Sequence, residues 1–149
     1  MIEKVYMVCC EGMLGRDFGD IFANNNIKVL ASDNYISEDW LAYGNVSFKK
    51  CIKNSILDFK PDVIIILADI PALEFCEENR YDSFQSNYEG TKNFVDLSSV
   101  QKVPYVYIAT IGVFDGKKEY YDETDTSNPL IVYVKTKYKT KVYVLENIK

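Results

Sequence analysis

Tyr133 and Lys137 are the two side chains of this sequence that are best spaced for acid–base chemistry. Residues four apart on a helix lie on the same face, so the phenol and the ammonium can approach each other. A nearby ammonium favours the phenolate, which lowers the pKa of the tyrosine and suits it to proton transfer with a carbonyl or an alcohol. Thr110 follows a predicted strand and could join them at a shared substrate oxygen. The pattern Tyr-x-x-x-Lys is common in a chain rich in both residues, so a structural interpretation stays open beside the catalytic one.

Two glycines, Gly12 and Gly15, stand where a first strand turns into a first helix. A dinucleotide-binding fold needs glycines in this turn, because the backbone must turn tightly and approach a pyrophosphate at the helix N-terminus. Cys9 occupies the place of the first glycine of that pattern, and Glu11 adds a negative charge where phosphate would lie. A partial glycine pattern is weak evidence, so the turn is compatible with phosphate binding and with a plain strand-to-helix connection. Asp33, about 20 residues further on, either holds an adenosine ribose hydroxyl or is an ordinary loop aspartate.

The elements that must position these residues follow from the hydrophobic pattern, in which short β-branched runs alternate with amphipathic stretches. We predict strands at residues 4–8, 28–31, 43–46, 62–67 and 104–109, and helices at residues 12–24, 48–59, 81–100 and 130–147. Ser47 is expected to cap the second helix, and a strand preference at residues 142–144 competes with the last one. This alternation predicts an α/β fold, a Rossmann-like doubly wound parallel sheet of order 3-2-1-4-5 with helices on both faces.

The composition argues against several classes of function. The chain has 149 residues, the size of one domain, and a net charge of −5 without a basic stripe, so we expect no nucleic-acid partner. There is no histidine, and the spacing of Cys9, Cys10, Cys51 and Cys76 fits no zinc pattern, so we expect no metal. The longest apolar run, residues 63–68, is too short to cross a bilayer, so we expect no membrane partner. The cysteines indicate reduced thiols of a cytoplasmic protein.

Six further segments of the sequence occur in a definite order. They are Phe59-Lys60-Pro61-Asp62-Val63-Ile64-Ile65, Asn87-Tyr88-Glu89-Gly90-Thr91-Lys92-Asn93, Tyr107-Ile108-Ala109-Thr110, Val113-Phe114-Asp115-Gly116, Tyr120-Tyr121-Asp122-Glu123-Thr124-Asp125 and Asn128-Pro129-Leu130. Together with Tyr133 and Lys137, they resemble the dTDP-4-dehydrorhamnose reductases, a branch of the extended short-chain dehydrogenase/reductase superfamily. The resemblance covers essentially the whole chain, and the Val-Phe-Asp-Gly segment followed by Glu-Thr-Asp and Asn-Pro-Leu is specific to this branch.

The resemblance implies a set of roles for residues of this chain. Tyr133 would donate a proton to a ketosugar carbonyl, Thr110 would hydrogen-bond the same oxygen, and Asn87 would support the active site. Lys137 would hold the nicotinamide ribose and tune the tyrosine. The implied cofactor is NADPH or NADH, in contact with Gly12, Met13, Leu14, Gly15, Asp33, Ala68 and Lys137. The implied reaction is hydride transfer to C4 of a dTDP-deoxyhexose in the biosynthesis of rhamnose-type nucleotide sugars.

The sequence departs from that family at several places. Ala109-Thr110-Ile111 replaces a Ser-Thr-Asp triplet, and the run ending in Ala68-Asp69 puts a carboxylate where the cofactor should pass. Residues 1–149 match a single NAD(P)-binding domain, so the last strands and the substrate domain of the family are expected to be absent. Two hypotheses follow. One is an NAD(P)-dependent sugar-nucleotide reductase, divergent or partial. The other is a non-catalytic regulatory subunit, which would pair with itself or with a protein partner through residues 81–100 and 130–147.

Overall fold

Five parallel strands form one sheet in the computed structural model, which describes residues 1–147. The strands are β1 (Lys4–Val8), β2 (Lys28–Asp33), β3 (Leu41–Tyr43), β4 (Val63–Ile66) and β5 (Tyr105–Tyr107). Their order across the sheet is β3-β2-β1-β4-β5, and each neighbouring pair is parallel. The predicted Rossmann-like doubly wound sheet of order 3-2-1-4-5 is therefore confirmed.

Helices lie on both faces of this sheet. They are α1 (Met13–Asn24), α2 (Lys49–Phe59), α3 (Leu73–Glu78), α4 (Arg80–Phe84), α5 (Thr91–Gln101) and α6 (Val132–Glu146). A π-helical turn (Gln85–Gly90) joins α4 to α5, and a 3-10 turn (Ile111–Val113) follows β5. The predicted last helix is confirmed as α6. Its packing against the core overrides the strand preference of its β-branched residues.

The centre of the core is β1, where the residues from Val5 to Val8 are each exposed by 1% or less. Successive side chains of a strand point to opposite faces of the sheet. Tyr6 and Val8 pack in a cluster with residues of α2, α5 and α6, whereas Val5 and Met7 pack in a cluster with residues of α1. The apolar run of β4 continues both clusters, since Ile64 belongs to the first and Ile65 to the second.

Two predictions around the third strand are wrong. The structure places β3 at Leu41–Tyr43 instead of residues 43–46, because the chain turns away from the sheet at Asn45, whose Oδ1 accepts the amide of Ser47 at 2.8 Å. Ser47 does not cap α2, which begins after Phe48 without a side-chain cap. The amide of Ser47 is instead part of the turn that Asn45 forms, so Asn45 is the residue that shapes this connection.

The segment after β4 also differs from the prediction. The helix predicted at residues 81–100 consists of α4, the π-helical turn and α5 in succession. Helix α3 was not predicted, because its six residues are too short to show a helical period. Its Glu77 accepts the backbone amide of Val132 at 2.7 Å, so this short helix fixes the start of α6.

Substitution of the two glycines in the turn after β1 should have opposite outcomes. A Cβ at Gly15 would lie 2.3 Å from the carbonyl oxygen of Cys10, whereas a Cβ at Gly12 meets nothing within 4 Å. We expect Gly15→Ala to lower the free energy of unfolding by about 3 kcal/mol, because α1 must move away from the turn. Gly12→Ala should change it by less than about 0.5 kcal/mol. Urea unfolding of both variants measures the difference, and equal midpoints would contradict the close packing of Gly15.

Candidate functional site

A cleft of about 830 Å³ opens at the carboxyl ends of the central strands. It is lined by the turn after β1, by Asp33 and Asn34 after β2, by residues 67 and 69–71 after β4, and by Lys137 of α6. In a doubly wound sheet, ligands bind at this edge, where the strand order reverses. Here the reversal falls between β1 and β4, so the cleft is the candidate functional site.

Tyr133 and Lys137 meet at one oxygen atom in this cleft. The Tyr133 Oη donates a hydrogen bond to Oδ2 of Asp69 at 2.7 Å, and the Lys137 Nζ lies 3.2 Å from the same Oδ2. Lys137 is 5% exposed, and its ammonium also lies 4.7 Å from the centroid of the Tyr107 ring. The positive charge of Lys137 is therefore paired with a carboxylate that enters the cleft directly after β4.

The pKa of Tyr133 changes in the direction opposite to the predicted one. Burial raises the pKa of the Tyr133 phenol above its usual range, and the hydrogen bond to Asp69 and the negative charge of Asp69 raise it further. The prediction of a lowered pKa was wrong, because it took Lys137 to be the nearest charge. In this state Tyr133 keeps its proton, which is the form that a proton donor requires.

The second oxygen of the Asp69 carboxylate, Oδ1, is buried and has no hydrogen-bond partner in residues 1–147. An unpaired buried acceptor costs about 1–3 kcal/mol, because it loses its hydrogen bonds to water. A donor group on a bound molecule would satisfy it. The position of Asp69 is thus costly for the free protein, although the same residue neutralises Lys137.

Asn87 connects the segment that carries Asp69 to the helix that carries Tyr133. It is fully buried in the π-helical turn; its Oδ1 accepts the amide of Ile70 at 2.7 Å, and its Nδ2 donates to the carbonyl of Ile70 and to Thr136 Oγ1. These bonds hold the loop after β4 against α6. The structure therefore gives Asn87 a positioning role. Sequence reasoning missed Thr136, because it lies 49 positions from Asn87 and no local pattern relates them.

Thr110 has its hydrogen bond within its own turn. Its Oγ1 accepts the amide of Gly112 at 3.2 Å and so caps the 3-10 turn after β5. It has no hydrogen bond to Tyr133 in the part of the chain that the structure describes. Ala68 is 2% exposed and belongs to the core below the cleft, on the cluster that also contains Tyr6.

The turn after β1 directs the N-terminus of α1 towards the cleft. The residues of this turn that line the cleft are Cys9, Glu11, Gly12, Met13, Leu14 and Gly15. The first turn of α1 has no acidic residue, and such a helix terminus binds anions through its amides and its dipole. The carboxylate of Glu11 is paired with Arg16 at 3.2 Å, which offsets part of its charge, since Arg16 also pairs with Glu38. This side of the cleft therefore fits the pyrophosphate of a dinucleotide.

Cys9, at the place of the missing glycine, adopts a glycine-like conformation with a φ of 61°. A side chain in the left-handed region costs about 1–2 kcal/mol, so the turn keeps its shape at the expense of strain. Burial raises the pKa of the Cys9 thiol, and it raises that of the neighbouring Cys10 to about 12. Both side chains are neutral thiols, so neither is a nucleophile at neutral pH.

Asp33 lies at the end of β2 and is 6% exposed. Its Oδ2 accepts the amide of Glu11 at 3.0 Å, and its Oδ1 accepts the amide of Tyr35 at 3.3 Å. The carboxylate thus ties the turn after β1 to the loop after β2. A carboxylate has about four acceptor positions, so its bonds to the two amides leave room for a ribose hydroxyl.

No group of three or more His, Cys, Asp or Glu side chains among residues 1–147 is arranged to hold a metal ion. None of the described helices is both long and apolar enough to span a membrane.

Similarity to known proteins extends over nearly the whole chain. The family model described as RmlD substrate binding domain matches residues 3–149. A dTDP-4-dehydrorhamnose reductase of Sinorhizobium fredii is 31% identical over 94 residues, which are 62% of this chain and 32% of that protein. A methionine adenosyltransferase 2 subunit beta of Bos taurus is 28% identical over 145 residues, which are 97% of this chain and 43% of that protein.

The solved structures show the same fold. The crystal structure of a dTDP-4-dehydrorhamnose reductase from Bacillus anthracis in complex with NADP superimposes with a TM-score of 0.83 at 23% identity. The match covers 98% of this chain and 50% of that chain. The chain thus spans about half the length of that structure, and 32% and 43% of the lengths of the two curated relatives.

The alkaline titration of the tyrosines should separate Tyr133 from the exposed phenols. Its pKa is raised from 10.0 in the folded chain, so the neutral phenol contributes stability that is fully present below pH 10 and is lost as the pH rises further. Phenolate absorbance is measured as the pH is raised. We expect Tyr133→Phe to lose one of the tyrosines that ionise above pH 10. Asp69→Asn should make Tyr133 ionise earlier, although burial keeps its pKa raised. Loss of an early-ionising tyrosine in Tyr133→Phe would contradict the role of Asp69.

Proposed function

Because the chain belongs to the family of the RmlD substrate binding domain, we propose that it is an NAD(P)-dependent reductase-type protein for sugar nucleotides. Its proposed substrate is the 4-keto group of a dTDP-deoxyhexose, of the kind reduced in the formation of rhamnose nucleotides. The observation that carries this proposal is the convergence of Tyr133 and Lys137 on one oxygen, at 2.7 Å and 3.2 Å. The Asp69 Oδ2 marks the position that a substrate or ribose oxygen would take.

The proposed mechanism follows from the state of each side chain. A bound nicotinamide cofactor would supply the hydride that reduces C4 of the sugar. Tyr133 holds its proton and is placed to donate it from Oη to the ketone oxygen, so the C=O becomes a hydroxyl. The phenolate left behind would be stabilised by the ammonium of Lys137, once that ammonium no longer pairs with Asp69. Asn87 bonds the loop after β4 to α6, and so fixes the position of that loop relative to Tyr133 and Lys137.

Asp69 is the obstacle that this mechanism must overcome. Its Oδ2 occupies the position of the reacting oxygen, and its charge opposes the phosphates and ribose oxygens of a cofactor. A ligand must therefore displace the carboxylate from Tyr133 and Lys137. The buried Oδ1 then offers an acceptor for a donor group of the ligand, which would compensate part of the loss.

A second candidate function is that of a non-catalytic subunit that binds a protein partner. The observation that favours it is the same ion pair, because Asp69 engages both groups that the reaction would need. The chain also resembles a methionine adenosyltransferase 2 subunit beta over 97% of its length. The surface proposed for a partner, or for a second copy, is formed by the outer sides of α4, α5 and α6.

Fluorescence titration with NADH and NADPH is the first test of the proposed reductase. We expect saturable binding at or below millimolar cofactor. If neither cofactor binds to the native chain or to Asp69→Asn, the proposal is refuted.

Where reduction of a dTDP-4-keto-deoxyhexose is measured, Tyr133→Phe should abolish turnover, since it removes only the hydroxyl that donates the proton. The matched control is Tyr138→Phe on the same helix, which should retain activity. A regulatory subunit would keep its partner in Tyr133→Phe and would show no turnover in either form.

Removal of the Asp69 charge should strengthen cofactor binding. We expect Asp69→Asn to raise the affinity for NADH about tenfold, which corresponds to about 1.4 kcal/mol. Asparagine keeps an oxygen for Tyr133 and Lys137 but removes the counter-charge of Lys137, so we expect a folded variant of lower stability, as circular dichroism and urea unfolding can verify. Asp82→Asn is the control, because Asp82 is a carboxylate on the same cleft. Equal gains in both variants would mean that overall charge, and not the Asp69 ion pair, limits binding.

A further inference from the structure

Arg16 adjoins the cleft through its ion pair with Glu11, a residue of the cleft lining, and itself lines the neighbouring groove with Glu38 and Trp40. Three interactions engage its guanidinium. The Nη1 lies 2.5 Å from Glu38 Oε1, the Nη2 lies 3.2 Å from Glu11 Oε1, and the Nε donates to the carbonyl of Glu11 at 3.2 Å. Each of the three guanidinium nitrogens therefore has an acceptor. A guanidinium of this kind is the side chain that best binds a phosphate, through two parallel hydrogen bonds, when its edges are free.

The two carboxylates are themselves held in place. Glu38 Oε2 accepts the indole N–H of Trp40 at 2.9 Å, and Glu11 Oε2 accepts the hydroxyl of Ser37. The Trp40 ring packs against α1, since a Cβ at Gly19 would lie 3.4 Å from it. The loop after β2 is thus folded down on the start of α1, and its contacts orient both partners of Arg16.

The position of this network relative to the cleft gives it a function. Asp33 and Glu11 line the cleft, and Glu11 joins Asp33 to Arg16 through its backbone amide and its carboxylate. In doubly wound folds, the residue at the end of the second strand faces the adenosine ribose, where NADP carries a 2′-phosphate and NAD a hydroxyl. That substituent would face the carboxylates of Asp33 and Glu11, and the guanidinium next to Glu11 is already paired with Glu11 and Glu38.

We propose that Glu11 and Glu38 determine the choice of dinucleotide, by engaging Arg16 so that the site accepts NAD(H) and rejects NADP(H). This inference rests on the proposed function, since it presupposes dinucleotide binding in the cleft. The carboxylates of Asp33 and Glu11 repel a phosphate dianion, and Glu38 holds the guanidinium that could otherwise bind it, whereas ribose hydroxyls can donate hydrogen bonds to Asp33. The lysine that lines the cleft, Lys137, lies at the nicotinamide end and is paired with Asp69. It therefore offers no charge to a 2′-phosphate.

The experiment compares ligands that carry only the adenosine half, so that Asp69 at the other end has no influence. Adenosine 5′-monophosphate and adenosine 2′,5′-bisphosphate are titrated by calorimetry, together with NADH and NADPH. The native chain should bind adenosine 5′-monophosphate more tightly than adenosine 2′,5′-bisphosphate, and NADH more tightly than NADPH. We expect each difference to be at least about tenfold, or about 1.4 kcal/mol. Glu38→Gln and the double variant Glu11→Gln/Glu38→Gln should reduce this preference about tenfold, mainly by strengthening binding of the 2′-phosphorylated ligands.

Asp17→Asn is the matched control, because it removes one negative charge from α1 at a residue that has no bond to Arg16 in the described part of the chain. It should leave the preference nearly unchanged, whereas an equal effect of Asp17→Asn and Glu38→Gln would overturn the role of Arg16 pairing. Tighter binding of NADPH than of NADH by the native chain would overturn the inference and leave the proposed function intact. If no adenosine ligand and no dinucleotide binds to the native chain or to Asp69→Asn, the proposed function fails, and the inference fails with it.

Discussion

The buried ammonium of Lys137 has to be neutralised, and most features of the cleft depend on how this is achieved. An isolated charge in a protein interior is very costly, so a lysine that is 5% exposed requires a counter-charge or must lose its proton. Asp69 provides the counter-charge, and the aromatic ring of Tyr107 covers another side of the ammonium. The hydrogen bond from Tyr133 to the same carboxylate oxygen then follows from the four-residue spacing on α6. The Asp69 carboxylate is consequently both a stabilising partner of the fold and the competitor of any ligand.

The surrounding structure holds the backbone on both sides of this carboxylate in place. Asp69 comes directly after the buried Ala68, and the next residue, Ile70, is bound through both its amide and its carbonyl to Asn87. Asn87 is in turn bonded to Thr136 of α6. Four elements of the site are thereby connected: the end of β4, the loop that follows it, the π-helical turn and α6. Exchange of Asp69 for a ligand oxygen has to occur within this frame, by rotation of one side chain.

The sequence predicted those features that depend on local periodicity. The alternation of strands and helices, the helical nature of residues 132–146 and the common face of Tyr133 and Lys137 all follow from spacings of a few residues. Right-handed crossovers between parallel strands then give the strand order. The contact between Tyr133 and Asp69 joins residues 64 positions apart, so no spacing could reveal it. The direction of the Tyr133 pKa shift was inferred from Lys137 alone and came out reversed, because burial, and after it Asp69, raise this pKa. The third strand was misplaced for a similar reason. The side chain of Asn45 forms a turn with the amide of Ser47, and the strand predicted at residues 43–46 runs through that turn.

The glycine pattern of the first turn is a poor guide to cofactor binding, because its three positions are under different structural constraints. Gly15 is required by the fold itself, since any side chain there would collide with the backbone of Cys10. Gly12 has an ordinary extended conformation with open space around it, so the fold places no demand on it. Cys9 shows that even the left-handed position accepts a side chain, with strain as the consequence. Loss of the first glycine therefore leaves the end of α1 directed at the cleft. The stronger physical argument against tight cofactor binding is the charge of Asp69 at the opposite end, on a residue that no glycine motif includes.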